Sequence, residues 1–180
     1  MFKKNDKEPS ALLKLCYEWL SSAVTAIVVV AILFSCVVRI VNVNGDSMLN
    51  TLHNNDRLVL SNFMYEPDYG DIVVLIREND TPLIKRVIGM AGDRIHIDAE
   101  TGKVYRNDQL LNEPYIRGGF TPQNGMRQEV LVPEGTIFVM GDNRRESLDS
   151  RMLGPQSLDN LVGRVLFRLA PEPGRVTNGD

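Results

Sequence analysis

One lysine stands inside an apolar stretch, a setting in which its amine can act as a base. Lys85 lies within the aliphatic and β-branched run 83–88, which has the composition of a strand. The pKa of a free lysine is about 10.4, so its amine is protonated at neutral pH. Burial in an apolar pocket can lower that pKa by roughly 3–5 units, and a neutral amine can take the proton of a serine hydroxyl. The alternative is an ammonium that reaches water past the apolar face.

A serine in a turn-forming segment is the candidate partner of this lysine. Ser47 lies in the segment 43–49, just after the apolar N-terminal stretch, and Gly45 allows the backbone to turn tightly there. Ser-Lys pairs are a known variant of the serine nucleophile arrangement. On this fragment alone, a plain turn is the favoured interpretation.

A polar segment follows a predicted strand in the C-terminal third of the chain. Residues 141–151 come directly after the apolar run 136–140. They are rich in arginines and short polar side chains that can form hydrogen bonds with neighbouring loops. As a pattern alone, this segment predicts a solvated loop.

Other kinds of site find little support in the sequence. The only histidines, His53 and His96, have no serine-hydrolase or zinc-peptidase motif beside them. His53 is predicted to lie on the surface, and His96, which alternates with isoleucines, to face solvent from a strand. Beyond Cys36 there is no cysteine, so that part of the chain can form neither an internal disulfide nor a thiolate zinc site. The formal net charge of -3 supplies no basic surface for nucleic acid, and no cofactor is expected.

The elements that must position these residues are predicted to be strands. Residues 39–170 contain short apolar runs with a period of two, separated by turn residues, which favours an all-β domain of antiparallel sheets with a sandwich or barrel-like form. The predicted strands cover residues 57–60, 71–76, 83–88, 94–97, 103–106, 109–111, 130–132, 136–140 and 162–169. A loop is expected at 114–128, one or two helical turns at 155–161, and a flexible tail at 171–180.

The N-terminal apolar stretch is long enough to cross a membrane. Residues 19–38 contain no charged side chain, and as a helix rising about 1.5 Å per residue they span about 30 Å, the thickness of a bilayer core. The basic residues near its two ends are Lys3, Lys4, Lys7 and Lys14 before it, and Arg39 and Arg57 after it. The positive-inside rule therefore predicts residues 1–18 in the cytoplasm and residues 39–170 outside the plasma membrane.

Two other interpretations of this stretch are weaker. A cleaved signal peptide has a shorter apolar core of about 7–15 residues. Residues 33–36 loosely resemble a lipoprotein processing site, but Phe34 fits that pattern poorly. An uncleaved single-pass anchor is therefore predicted.

Several blocks of the chain, in the same order, resemble the motifs of type I signal peptidases. Residues 45–52 resemble the nucleophile block G-x-S-M-x-P-T-L, and residues 85–93 resemble the lysine block K-R-V-I-G-x-x-G-D. Residues 141–154 resemble the block G-D-N-R-x-x-S-x-D-S-R-x-x-G. Residues 56–59 resemble the strand block of the family, and 112–115 are a weaker match. The chain is most similar in kind to the short, single-anchor, Gram-positive-like form with a Ser-Lys dyad.

The resemblance implies a membrane-bound serine endopeptidase that removes signal peptides from exported preproteins and cleaves after small residues. Its partners would be preproteins and the lipid bilayer, without nucleic acid or cofactor, and the sequence does not specify an oligomeric state. A self-cleaving repressor type of Ser-Lys peptidase is a second enzyme class, but those regulators are soluble and the anchor argues against it. The non-enzymatic alternative is a catalytically weak or inactive paralogue that binds preproteins or partners.

The resemblance also implies roles for individual residues. Ser47 would attack the scissile carbonyl, with Lys85 as its general base and Ser147 holding the lysine amine. The residues that order the surrounding loops would be Asp142, Asp149 and Arg151, and those near the substrate pockets would be Met48, Leu52, Leu83 and Ile84.

Two positions depart from relatives in ways that bear on the site. The backbone N–H of Ser47 would bind the oxyanion, but the serine that assists it in some relatives is Gly45 here. One lost oxyanion donor costs about 2.7–4 kcal/mol in other enzymes. Asn50 replaces the proline of the nucleophile block, which predicts a looser loop or a weaker site.

Overall fold

The computed structural model describes residues 11–76, 82–126 and 128–176. The chain divides into two units, residues 1–37 and residues 38–180. The described part of the first unit is one helix, α1 (Ala11–Val37). The described strands all belong to the second unit.

Helix α1 is suited to a membrane by its length and composition. Its residues Leu12–Ala31 form a stretch long and apolar enough to cross a bilayer. A helix satisfies its own backbone hydrogen bonds, as an apolar solvent requires. The stretch starts earlier than the predicted run 19–38 because Lys14 and Glu18 interrupt the apolar residues without ending the helix. Residues 1–10 of the predicted cytoplasmic segment lie outside the described residues.

Twelve short strands are described in the second unit. They are β1 (Val38–Asn42), β2 (Arg57–Ser61), β3 (Ile72–Ile76), β4 (Pro82–Met90), β5 (Arg94–Ile97), β6 (Val104–Arg106), β7 (Gln109–Leu110), β8 (Val130–Leu131), β9 (Thr136–Met140), β10 (Gln156–Ser157), β11 (Leu161–Ala170) and β12 (Gly174–Arg175). The larger sheet has eight strands in the order β1-β2-β11-β3-β4-β9-β10, with β12 also paired to β11. Its described pairings are all antiparallel.

A smaller sheet has four strands in the order β7-β6-β5-β8. Strands β6 and β7 are joined by Asn107 and Asp108, which have positive φ angles of 51° and 63°. Positive φ at both central residues is the geometry of a tight two-residue hairpin. In β5, Ile95 and Ile97 are buried while His96 is exposed, as the alternation in the sequence predicted.

The centre of the larger sheet is covered on both faces. Ile72 and Val74 of β3 pack in one apolar cluster, and Val73 and Leu75 pack in another. Neighbouring residues of a strand project to opposite faces, so both faces of β3 are buried. This explains why its sequence is a continuous aliphatic run instead of an alternating one.

The predicted fold class is confirmed, since an antiparallel all-β domain follows one apolar helix. A helical turn, α2 (Ser150–Leu153), was not predicted because Asp149 caps it within a segment that has no apolar period. A short 3-10 helix, Leu158–Asn160, lies where one or two helical turns were expected. Gly174 and Arg175 pair with β11, where the sequence suggested a free tail.

Candidate active site

Ser47 lies in a tight turn between β1 and β2, and apolar side chains of that turn pack in the core. The backbone N–H of Leu52 donates to the carbonyl of Met48 at 2.8 Å, and both side chains are buried. Gly45 has a φ of 96°, in the left-handed region that glycine adopts readily. Ser47 itself is half-buried, so its side chain stands at the surface of an anchored turn.

Lys85 contacts Ser47 directly. It lies in the middle of β4, opposite Val73 of β3, and paired side chains project from the same face of a sheet. Its Nζ donates to Ser47 Oγ at 2.7 Å and to the carbonyl of Ile84 at 2.9 Å. Only 3% of Lys85 is exposed. The structure therefore brings together the two residues whose chemistry the sequence singled out.

Burial lowers the pKa of Lys85 from 10.5 to about 8. Loss of hydration is the largest cause because it destabilises the ammonium. The carboxylates of Asp149 and Asp142 act in the opposite direction, whereas Arg151 lowers the pKa further. With a pKa near 8, about a tenth of the amines are neutral at pH 7, against fewer than about one in a thousand for a free lysine.

A buried ion pair joins the lysine strand to the polar loop after β9. Arg86 Nε and Nη2 donate to the two oxygens of the Asp142 carboxylate at 2.8 and 2.7 Å. Thr51 Oγ1 also donates to this carboxylate, at 2.5 Å. Because Thr51 belongs to the serine turn and Arg86 follows Lys85, one carboxylate holds both elements of the site.

A second buried ion pair closes the polar loop on itself. Arg151 Nε and Nη2 donate to Asp149 at 2.8 and 2.7 Å, and the Gly141 N–H donates to the same carboxylate at 3.1 Å. Burial raises the pKa of Asp149, but the hydrogen bonds and charge of Arg151 outweigh that effect, so the pKa lies below its usual value. Asp149 is therefore a fixed negative charge near Lys85.

A third buried ion pair attaches the loop that precedes β8. Arg144 donates to the two carboxylate oxygens of Glu113 at 3.1 and 2.5 Å, and to Thr121 Oγ1 at 2.7 Å. Its Nε donates to the carbonyl of Gly141 at 3.0 Å. The guanidinium therefore fixes the start of the polar loop where that loop meets the serine turn.

Gly141 lies close to the side chain of Ser147 and to the backbone of Ser47. A Cβ atom at Gly141 would overlap Ser147 Oγ and the carbonyl oxygen of Ser47, so only glycine permits this close approach. Ser147 is buried, and its hydroxyl makes no hydrogen bond of regular geometry to the residues that the structure describes. It nevertheless lies close enough to the Asp149 carboxylate to help hold the pKa of that group below its usual value. The role of Ser147 in holding the lysine amine stays a prediction.

Comparison with known proteins decides the family. The model of the family described as signal peptidase, peptidase S26, matches residues 16–170. The chain belongs to this family. The type I signal peptidase resemblance of the motifs is thereby confirmed, and the chain is a serine endopeptidase of the signal peptidase type.

Individual relatives of this peptidase come from bacteria and from a plant. Signal peptidase I S of Bacillus subtilis is 36% identical over 166 residues, covering 86% of this chain and 89% of that protein. A probable signal peptidase I-1 of Synechocystis is 40% identical over 139 residues, covering 71% and 68%. The chloroplastic thylakoidal processing peptidase 1 of Arabidopsis thaliana is 31% identical over 183 residues, covering 93% of this chain but 52% of that protein. The chain thus spans about half the length of the plant relative and at least two thirds of the length of each bacterial relative.

The predicted pocket residues of the peptidase lie on two sides of β4. Met48, Leu52 and Ile84 are buried together in one apolar cluster beneath the serine turn. Leu83 is half-buried and packs at the margin of the cluster on the opposite face. Adjacent residues of a strand point in opposite directions, so Leu83 does not share a surface with the other three. Their contact with substrate stays a prediction.

Metal ligands do not gather in the described ranges 11–76, 82–126 and 128–176, where no group of three or more His, Cys, Asp or Glu could hold an ion. His53 and His96 are both exposed, as predicted.

Several polar residues that build the peptidase's site had no role assigned to them from the sequence. They are Thr51, Arg86, Glu113, Asn143 and Arg144. For Arg86 a signal was present, because strand alternation puts its cation on the face opposite Lys85 and a buried cation needs a partner. For Glu113 and Arg144 no spacing rule relates residues 31 positions apart.

Proposed function

We propose that this chain is a membrane-bound endopeptidase that removes signal peptides from exported preproteins, with Ser47 as nucleophile and Lys85 as general base. The observation that carries the proposal is the 2.7 Å contact between Lys85 Nζ and Ser47 Oγ. Burial, which lowers the pKa of Lys85 to about 8, supports the amine as a base. Membership of the signal peptidase family supports the substrate class. This geometry lends no support to the inactive alternative.

The reaction would proceed through an acyl-enzyme. Ser47 Oγ forms a bond to the scissile carbonyl carbon while its proton passes to the Nζ of Lys85. The carbonyl oxygen becomes an oxyanion, which the backbone N–H of Ser47 binds. When the carbonyl re-forms, the C–N bond breaks and Lys85 gives its proton to the leaving amine. Water then hydrolyses the ester on Ser47, with Lys85 again as the base.

The supporting residues would act on the charge and position of the lysine. The carboxylates of Asp142 and Asp149 favour the ammonium, so they stabilise the protonated Lys85 that forms during attack. Arg151 fixes the Asp149 carboxylate through two hydrogen bonds. The buried hydroxyl of Ser147 is available to accept from the amine once Lys85 leaves Ser47.

The substrate would bind extended beside a strand, with small side chains in shallow apolar pockets. Met48 and Leu52 lie directly beneath the serine turn and are buried. Their side chains fill the space under the nucleophile, which favours small residues before the scissile bond. Leu83 would border the extended peptide on one face of β4 and Ile84 on the other.

The catalytic domain would lie on the outer side of the plasma membrane. The apolar stretch of α1 supports a single anchor. The excess of lysines before that stretch supports a cytoplasmic N-terminus by the positive-inside rule. On this topology residues 1–18 are cytoplasmic, residues 19–38 form the anchor, and residues 39–170 face the exported substrate.

The test is cleavage of a preprotein by the purified full-length chain in detergent micelles. The wild type is expected to release the mature protein after small residues, while Ser47→Ala and Lys85→Met each lose about 10⁴-fold or more in kcat. Lys103→Met is the matched control, because Lys103 is exposed and directly precedes β6 of the smaller sheet, and it should retain activity. Retained cleavage by a folded Lys85→Met protein would end the dyad proposal.

A further inference from the structure

We infer that Asn143 aims the oxyanion donor of the active site by holding both peptide groups that flank Ser47. The inference rests on the proposed function, in which the N–H of Ser47 binds the oxyanion. Asn143 is a buried residue of the polar loop, directly after Asp142. It touches neither Ser47 Oγ nor Lys85 Nζ by any described hydrogen bond, so it is a positioning residue.

Two hydrogen bonds connect Asn143 to the backbone of the nucleophile. Its backbone N–H donates to the carbonyl of Ser47 at 3.0 Å. Its side-chain Nδ2 donates to the carbonyl of Asp46 at 3.0 Å. A carbonyl oxygen only accepts hydrogen bonds, so the amide nitrogen of the side chain must be the atom that faces Asp46. One residue therefore restrains the peptide groups before and after Ser47.

The Asp46 carbonyl accepts from Asn143 Nδ2 at 3.0 Å and, within the turn, from the Leu49 N–H at 3.2 Å, and these two bonds set the direction of the Ser47 N–H. The Asp46 carbonyl and the Ser47 N–H belong to the same peptide unit, which is planar, and in a trans unit they point in opposite directions. Rotation of that unit would turn the N–H away from the substrate oxygen, and Asn143 resists the rotation. Control of this one donor matters here because Gly45 cannot supply the serine hydroxyl that assists in some relatives.

Asn143 is itself held in place by hydrogen bonds and by its neighbours, so it can fix the orientation of the Ser47 backbone. The Glu146 N–H donates to the Asn143 carbonyl at 3.0 Å, and Asn143 Nδ2 also reaches Glu146 Oε2 at 3.3 Å. Its chain neighbours Asp142 and Arg144 are fixed by ion pairs, the first fully buried and the second nearly so. A donor that is already oriented before the charge develops is the arrangement that stabilises an oxyanion most effectively.

Two substitutions separate this role from general support of the fold. Asn143→Ala removes the bond to Asp46 and keeps the backbone bond to Ser47. Asn143→Asp keeps the size of the side chain but places a carboxylate oxygen against the Asp46 carbonyl, where it cannot donate. The exposed asparagine Asn62, with the same two substitutions, is the matched control.

The measurement combines a signal-peptide substrate with a peptide aldehyde of the same sequence, using the full-length chain in detergent. Ser47 Oγ adds to the aldehyde carbon, the hydroxyl proton passes to Lys85, and the carbonyl oxygen becomes an oxyanion in the same place. Loss of a whole oxyanion donor costs about 10²–10³ in kcat, so a misaimed donor is expected to cost about 10- to 100-fold. The aldehyde Ki should rise by the factor that kcat/KM falls, with KM unchanged.

Two further readouts exclude a merely structural effect. In Asn143→Ala the pH midpoint of kcat/KM should stay at the wild-type value, because no charge near Lys85 changes, whereas a generally loosened site would move it. The new carboxylate of Asn143→Asp favours the ammonium, so this readout applies to the alanine variant alone. KM and Ki are measured on the folded protein only, so partial misfolding does not change them. If Asn143→Ala does not fold, the KM and Ki comparison is made with Asn143→Asp. An unchanged aldehyde Ki in a folded variant overturns the inference, as do equal rises of Ki and KM. An active Ser47→Ala protein would instead remove the proposed function itself.

Discussion

The guanidinium of Arg86 and the carboxylate of Asp142 form two hydrogen bonds of 2.8 and 2.7 Å, with neither side chain exposed to solvent. The ring of Tyr115 lies 4.0 Å from Arg86 Cζ and covers the cation from another side. Arg86 follows Lys85 along β4, and Asp142 also accepts from Thr51 of the serine turn. The pair therefore connects the lysine strand, the serine turn and the polar loop at one point.

Breaking this ion pair is expected to destabilise the β domain strongly. Asp142→Ala would leave Arg86 buried without its carboxylate, and removal of one partner from a buried pair costs about 3–5 kcal/mol. Equilibrium urea unfolding of the full-length chain in detergent measures the loss. Arg94→Ala is the control, because its pair with Asp108 is exposed and such pairs contribute less than about 1 kcal/mol. Equal losses in the two variants would contradict the importance of the buried pair.

Activity is expected to rise with pH through the pKa of Lys85. In the proposed mechanism the base is the neutral amine, so kcat/KM should increase with pH and level off above a midpoint near 8. Lys85→Arg should be inactive over the whole range, because the pKa of a guanidinium remains above about 12. Initial rates on a signal-peptide substrate between roughly pH 6 and pH 10 test this, within the range where the wild type stays folded. A flat wild-type profile would argue against a lysine base.

The strands could be predicted because their signals are local, whereas the candidate dyad could not be predicted without the motif resemblance. Locally, Lys85 is a cation within an apolar run that could reach water, and Ser47 is a serine in a segment that favours a plain turn. Strand β5 shows its buried face through alternation, and β3 shows its full burial through a continuous aliphatic run. The order of the motif blocks indicated that Ser47 and Lys85 act together. The spacing between them in the sequence did not indicate this.

The support of the site could not be predicted because it depends on tertiary contacts. Arg86 reaches Asp142 only because β4 pairs with β9, at Arg86 opposite Met140, and the two charged residues are 56 positions apart. Asn143 holds the backbone of a turn 97 residues earlier in the chain. No period or motif spacing within one segment specifies such a partner. The polar loop therefore resembled a solvated loop, although it is largely buried.

Lys85 is expected to lower the stability of the fold as long as it is charged. Its folded pKa of about 8 lies below the unfolded value of 10.5, so the unfolded state binds the proton more tightly. Below about pH 8 the Lys85 amine is protonated in both the folded and the unfolded state. The free energy of unfolding is then reduced by the full amount, about 3 kcal/mol at about 1.4 kcal/mol per pKa unit. This reduction becomes smaller as pH rises from 8 to 10.5 and is absent above that range.

Lys85→Met should therefore increase the free energy of unfolding at pH 7, although it abolishes activity. The gain over wild type should diminish as the pH approaches 10.5, where the wild-type amine is neutral in both states. Urea unfolding of both proteins at several pH values measures the difference. Lys103→Met, which replaces an exposed lysine, should change the unfolding free energy by less than about 0.5 kcal/mol at each pH. A Lys85→Met protein less stable than wild type at pH 7 would show that the charged amine is not destabilising.

Gly141→Ala is expected to reduce activity more than stability. The added carbon would overlap Ser147 Oγ and the carbonyl oxygen of Ser47, so the serine turn and the polar loop must separate. Overpacking of this kind costs about 1–3 kcal/mol, while a displacement of about 1 Å at a catalytic group can cost about 10² in rate. Gly174→Ala is the matched control, because no atom lies within 4 Å of the added carbon. If kcat for a folded Gly141→Ala enzyme equals that of wild type, then the reaction does not depend on the close contact between these two loops.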